Sequence, residues 1–184
     1  MTEASVSPAS ARHRAREVAL QALFAMDLQQ RPQRSRRGDA ASEQLSKDES
    51  HPDAPPPAVP PAVPTTAPAT ALEVFEGIAE HFEMPHAAHA FARELVVQVV
   101  EGCAGLDAIV SSHAKNWRVS RMAIVDRNIL RLATFELAHT DTPAPVVLNE
   151  AVELARRFGS DESPPFVNGV LDAVARQIRG EESR

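Results

Sequence analysis

The chain has little that would staple, span or stack. A single cysteine, Cys103, has no partner for an internal disulfide. Tyrosine is absent, tryptophan occurs once, and aromatics make up 4% of the 184 residues, so a core has to be built from smaller side chains. Hydrophobic content is nevertheless 43%, with Ala and Val prominent, which favours closely packed helices. Uninterrupted apolar runs extend for a few residues, far short of the roughly 20 that cross a bilayer. No basic region followed by an apolar block opens the chain, which argues against a secretory signal. The glycine-rich fingerprints of nucleotide-binding loops and the G-x-S-x-G elbow of hydrolases are also missing. These absences point to a cytoplasmic, non-enzymatic protein without cofactor or membrane contact.

What is there is unevenly charged. Residues 1–37 hold seven arginines against Glu3, Glu17 and Asp27, a balance of +4, whereas the remainder holds 12 basic and 22 acidic side chains, −10. A basic patch on an otherwise acidic body suits an anionic partner. The patch is densest in ARHRAREVALQALF, residues 11–24. Cations at a helix start oppose the macrodipole, and Arg12 and Arg16 are like charges four residues apart. Folding alone gives no reason for this placement.

Periodicity predicts a single all-α domain over 1–184, a compact bundle of about six to seven helices. The first helix is expected to start near Ser10 as N-cap, after a flexible 1–10, and to bury Ala15, Val18, Ala19, Ala22, Leu23 and Met26. From 31 to 70 the pattern collapses into a polar and then proline-rich stretch, with eight prolines among residues 51–68. Proline lacks an amide donor and fixes φ, so this reads as a disordered insert. Helical spacing resumes near Ala71 and continues, after Pro85, in a longer helix through Phe91, Leu95, Val99, Gly102, Leu106, Ile109 and Val110 to about His113. The stretch WRVSRMAIVDRNILRLATFELAH is apolar almost all round apart from Arg127, Arg131 and Thr134, as befits a central helix. Thr142 and Pro143 look like an N-cap and first helical residue, Gly159 like a stop, and Ser163 with Pro164 like the last start. Residues 180–184 are expected to be a flexible end.

Two places suggest a ligand. Arg12, Arg16, Leu20 and Phe24 fall on one helix face, and guanidinium groups beside an aromatic ring suit single-stranded nucleic acid, phosphates on one and a base on the other. In SPPFVNGVLDAVA, Gly169 costs about 1 kcal/mol relative to alanine within a helical repeat. It marks either a close helix approach or a functional surface, and Phe166 stands in the first turn beside it. His86 and His89 have metal-like spacing but no further ligands in reach, so no metal site is expected.

The segments ARHRAREVALQALFAMDL, VDRNILRLATFEL and PVVLNEAVELARRFGSDESPPFVNGVLDAVA together resemble the NusB family of transcription antitermination factors. The resemblance covers about residues 11–30 and 72–179. It implies a protein that pairs with NusE, a ribosomal protein of the small subunit, and binds single-stranded boxA RNA. It further implies membership of an RNA polymerase antitermination complex that supports read-through of terminators, notably in ribosomal RNA operons. On the family pattern Arg12, His13, Arg14 and Arg16 stand at the RNA-binding start of the first helix. Phe24 stands at a place commonly held by Tyr, and Phe166 at the phenylalanine of FVNG. Asp126 and Glu162 fall at positions often acidic near the RNA. Three departures stand out: His13 where arginine is frequent, Pro165 where a basic residue is frequent, and the insert 31–70 where relatives have a short connection. Two alternative readings remain, a homodimeric protein-only scaffold with its arginines occluded and an accessory domain related to those of RNA cytosine methyltransferases.

Overall fold

The computed structural model describes residues 8–29, 68–114 and 117–182, and among them regular structure is helical throughout. The elements are α1 (Pro8–Gln29), α2 (Pro68–Ala79), α3 (His86–Glu101), α4 (Cys103–His113), a 3-10 turn (Val119–Arg121), α5 (Ile124–His139), α6 (Ala144–Phe158) and α7 (Ser163–Glu182). The all-α bundle expected from periodicity is the observed one. Helices α1, α2 and α3 pack on one another, α4, α6 and α7 gather around α5, and α5 also touches α1 and α3. Thus α5 joins the two groups. It is buried over its whole run from Arg127 to Glu136. The core is aliphatic with Phe75 at its centre, and Leu95, Ile129, Leu130, Leu132 and Leu171 are fully buried beside it. Each such side chain contributes about 1.5–3 kcal/mol by leaving water.

Element boundaries differ from the sequence expectation in instructive ways. Helix α1 begins at Pro8, not after Ser10, and α2 begins at Pro68 inside the stretch assigned to the insert. In both cases proline occupies the first helical position, where its missing N–H has no acceptor to lose. The rest of the insert, from residue 31 to 67, together with residue 30, residues 1–7 and residues 183–184, lies outside the described residues. At the other end α7 runs on to Glu182, through part of the stretch expected to be flexible.

The single helix expected from Phe91 to His113 is two, α3 and α4, bent by 77° at Gly102. Gly102 has φ −87° and ψ 3°, off the helical path, and a Cβ there would lie 3.1 Å from the Gln98 carbonyl oxygen. Hydrophobic spacing survives such a bend because both arms still face the same core. Similarly, Trp117 to Ala123 precede α5 instead of opening it, and α6 is capped by Pro143, one residue later than expected.

The polar stripe of α5 is not exposed. Arg127 and Asn128 both donate to Asp27 of α1, at 2.8 and 3.0 Å, and Arg131 forms a two-pronged pair with Asp107 of α4 at 2.6 and 2.7 Å. Burial opposes the charge on Arg131, but the hydrogen bond and charge of Asp107 outweigh it and raise its pKa. These pairs fix the rotation of α5 against α1 and α4, because a buried guanidinium without its carboxylate would be strongly destabilising. Cys103, near the same cluster, is half-buried, and burial raises its thiol pKa.

Candidate nucleic-acid interface

The first turns of α1 show why charge gathers there. Arg16 is 3% exposed and donates through Nε and Nη2 to both carboxylate oxygens of Glu136 on α5, at 2.8 and 2.6 Å. Glu150 of α6 lies 3.5 Å from the same guanidinium. Glu17 is equally buried and is met by Arg14 at 2.8 Å, by His13 at 3.3 Å and by Arg157 of α6. His13 also reaches Glu150 at 2.8 Å. Three arginines therefore answer three carboxylates, and the cluster bolts α1 to α5 and α6. The expectation that folding has no use for these cations fails for Arg16. Its charge compensates Glu136, buried near the end of the central helix, and it is not presented to solvent.

Arg12 is different. It is exposed, and among the described residues it has no carboxylate partner; its guanidinium carbon sits 5.4 Å from the centre of the Phe91 ring on α3. Arg14 is half-buried and similarly rests over Phe82 at 4.8 Å. Rings beneath the guanidinium groups hold the side chains extended while leaving donors for an anion.

The stripe from Arg12 to Phe24 is interrupted, because Arg16 and Leu20 are both buried. Phe24 is half-buried, twelve residues beyond Arg12 and so about 18 Å along the helix axis. It lines an apolar cleft of about 420 Å³ with Leu20, Gln21, Ile78, Val125 and Phe158. Asp126, next to Val125 in the first turn of α5, is half-buried, and its Oδ1 has no hydrogen-bond partner among the described residues. Glu162 is exposed in the turn before α7.

Phe166 is half-buried in the first turn of α7, and its ring lies 5.5 Å from that of Trp117, tilted by 55°. Asn168 and Gly169 are exposed, and a Cβ at Gly169 would meet nothing within 4 Å. The glycine there does not admit a neighbouring helix. The α6 to α7 connection depends on a different glycine. A Cβ at Gly159 would lie 2.5 Å from Ser163 Oγ and 2.7 Å from the Ala155 carbonyl oxygen, and Ser163 Oγ accepts from the Ser160 N–H at 2.9 Å.

Sequence reasoning missed the carboxylate half of the α1 cluster and the ring partner of Phe166. Glu136, within the apolar run LATFELA, was a sign of a buried counter-cation. A single tryptophan just before a helix was a sign of a surface role.

A family model for the NusB family matches residues 66–176. The chain belongs to the NusB family. The transcription antitermination protein NusB of Solibacter usitatus is 53% identical over 88 residues, 48% of this chain and 60% of that protein. That of Desulfotalea psychrophila is 47% identical over 103 residues, 55% of this chain and 73% of the relative. Geotalea uraniireducens NusB is 45% identical over 114 residues, covering 59% and 79%. Among solved structures, NusB of T. maritima superposes with a TM-score of 0.66 at 27% identity, over 93% of this chain and 94% of that one. A chain from the complex of antitermination factors NusB and NusE with dsRNA shares the NusB fold at a TM-score of 0.63 and 22% identity, covering 91% and 97%.

Proposed function

We propose that this protein is a non-enzymatic transcription antitermination factor of the cytoplasm. In this reading it binds single-stranded boxA-type RNA together with NusE, within an RNA polymerase antitermination complex, and supports read-through of terminators, above all in ribosomal RNA operons. Membership of the NusB family carries the reading. The names of its relatives and the NusB–NusE complex with RNA support the partners.

The residues divide the work by their surroundings. Arg12 supplies an uncompensated charge at the start of α1 and Arg14 adds guanidinium donors beside it, so phosphates displace counterions along this edge, while His13, with its ring nitrogens turned to Glu17 and Glu150, holds the turn in place. Arg16 acts as a positioning residue: its pair with Glu136 sets the angle at which α1 presents Arg12 and Arg14. Phe24 and Phe166 offer ring surface to unstacked bases. Asp126, half-buried at the start of α5, and Glu162, exposed before α7, accept from base amino groups. So few free cations on a chain of net charge −6 make weak binding alone, and NusE completes the surface.

Fluorescence anisotropy of a labelled boxA RNA, titrated with the full chain at two salt concentrations with and without NusE, tests this. Binding should prefer boxA over scrambled RNA, weaken with salt and tighten at least tenfold with NusE. Equal binding to both RNAs, or no gain from NusE, sinks the proposal; a stable homodimer in sedimentation would then favour a protein-only scaffold.

A further inference from the structure

Trp117 is the largest hydrophobic side chain left in water, 57% exposed, in a protein that has no other tryptophan. Its indole is held in place on one side by Phe166, 5.5 Å away and tilted by 55°. The backbone beneath is also fixed, since the Trp117 N–H donates to the Ala114 carbonyl at 3.0 Å and the Arg121 N–H to that of Arg118 at 2.8 Å. The ring is thus anchored yet uncovered.

The charges beside it are as unusual as the ring. Among the arginines whose side chains are described, eight are ion-paired, and Arg12, Arg118 and Arg121 have no carboxylate partner among the described residues. Two of the three follow Trp117 closely in the chain, Arg118 as its neighbour and Arg121 at the end of the 3-10 turn, and both are exposed. An uncovered aromatic surface on the same short segment as two free guanidinium groups matches a ligand that is planar at one end and anionic at the other, which is a nucleotide in a single strand.

We propose that Trp117 and Phe166 form a stacking platform for one base of single-stranded RNA, with Arg118 and Arg121 holding the phosphates on either side. The platform lies on a different helix junction from the arginines of α1 and gives the RNA a second anchor. This inference rests on the proposed RNA-binding function and adds to it a residue pair and a phosphate clamp.

Because Trp117 is the sole tryptophan, its emission reports on this ring alone. The full chain, titrated with a labelled single-stranded boxA RNA, should show tryptophan quenching that saturates at the same concentration as the anisotropy rise. Trp117→Ala should weaken binding about tenfold, in keeping with loss of one stacked base, and Trp117→Phe should recover most of it. The double variant Arg118→Ala/Arg121→Ala should flatten the plot of log affinity against log salt by about 1.4, two single-strand phosphate contacts. All three variants alter exposed side chains and should keep the wild-type circular dichroism and denaturation midpoint.

If RNA binds but leaves the emission unchanged, and Trp117→Ala binds as tightly as wild type, the platform proposal is overturned while the RNA-binding function stands. Quenching by NusE alone would then mark the ring as a protein contact. If the wild type binds no RNA, the function falls and the platform with it.

Discussion

At the scale of single residues, neighbouring arginines of one helix turn have opposite tasks. Arg16 is enclosed with Glu136 and Glu150, whereas Arg12 faces water over Phe91. Arg16→Ala leaves a buried carboxylate without its cation and should lower stability by about 3–5 kcal/mol in urea denaturation. Arg12→Ala should change stability by less than about 0.5 kcal/mol. The same Arg12 variant should reduce the salt slope of RNA binding by about 0.7, one single-strand phosphate contact. A stable Arg16→Ala protein would contradict the buried-pair account, and an unaltered slope for Arg12→Ala would remove that residue from the interface. Cys103 offers a separate check. Burial holds its thiol pKa above the ordinary value, so the reactive thiolate is scarcer at neutral pH than on a free cysteine. Alkylation should be slow at pH 7 and should accelerate at higher pH than for a model thiol; a fast reaction at pH 7 would argue against this environment.

At the scale of elements, two glycines that look alike in sequence behave oppositely. Gly159 ends α6 where Ser163 folds back against it, so Gly159→Ala forces the start of α7 to shift and should destabilise by about 1–3 kcal/mol. Gly169 has open space around it in the exposed face of α7, and Gly169→Ala should stabilise the helix by up to about 1 kcal/mol. Thermal denaturation of the two variants should move in opposite directions. If Gly169→Ala also weakens RNA binding, the glycine keeps that face of α7 low for the ligand beside Phe166. Helix faces were legible in the sequence: the residues expected to be buried in α1 are buried, and of Val167, Leu171, Val174 and Ile178, the face expected to be buried in α7, the first three are buried and Ile178 is half-buried. The break at Gly102 was not, because spacing of three and four records which side meets the core and carries no information about the direction of the axis.

At the scale of the whole molecule, the proposed function asks an acidic chain to bind RNA through a few cations. Of the arginines whose side chains are described most meet internal carboxylates, which leaves Arg12, Arg118 and Arg121 unpaired among the described residues, and Arg14 with donors beyond its bond to Glu17. Binding should therefore be weak without NusE and strongly salt-dependent with it, and a titration insensitive to salt between 50 and 200 mM would contradict the electrostatic account. The two arms of the bundle meet through α5, where Asp27–Arg127 and Arg16–Glu136 both tie it to α1. Loss of either pair is expected to loosen the angle between the arms as well as the local contact, and hydrogen exchange along α1 would register it.

The sequence by itself determined the helical class, most of the buried faces and the family, because each of these is written in local spacing and in short motifs. FVNGVLD and NEAVELARRFG are contiguous, and so is the periodicity that makes them helical. The tertiary structure alone decided which charges are free. Glu136 stands 120 residues from Arg16 and Arg157 stands 140 from Glu17, so no window of sequence contains both halves of either pair. A guanidinium in water and one against a buried carboxylate are the same letter in a sequence, and they differ only in what the fold brings within 3 Å of them.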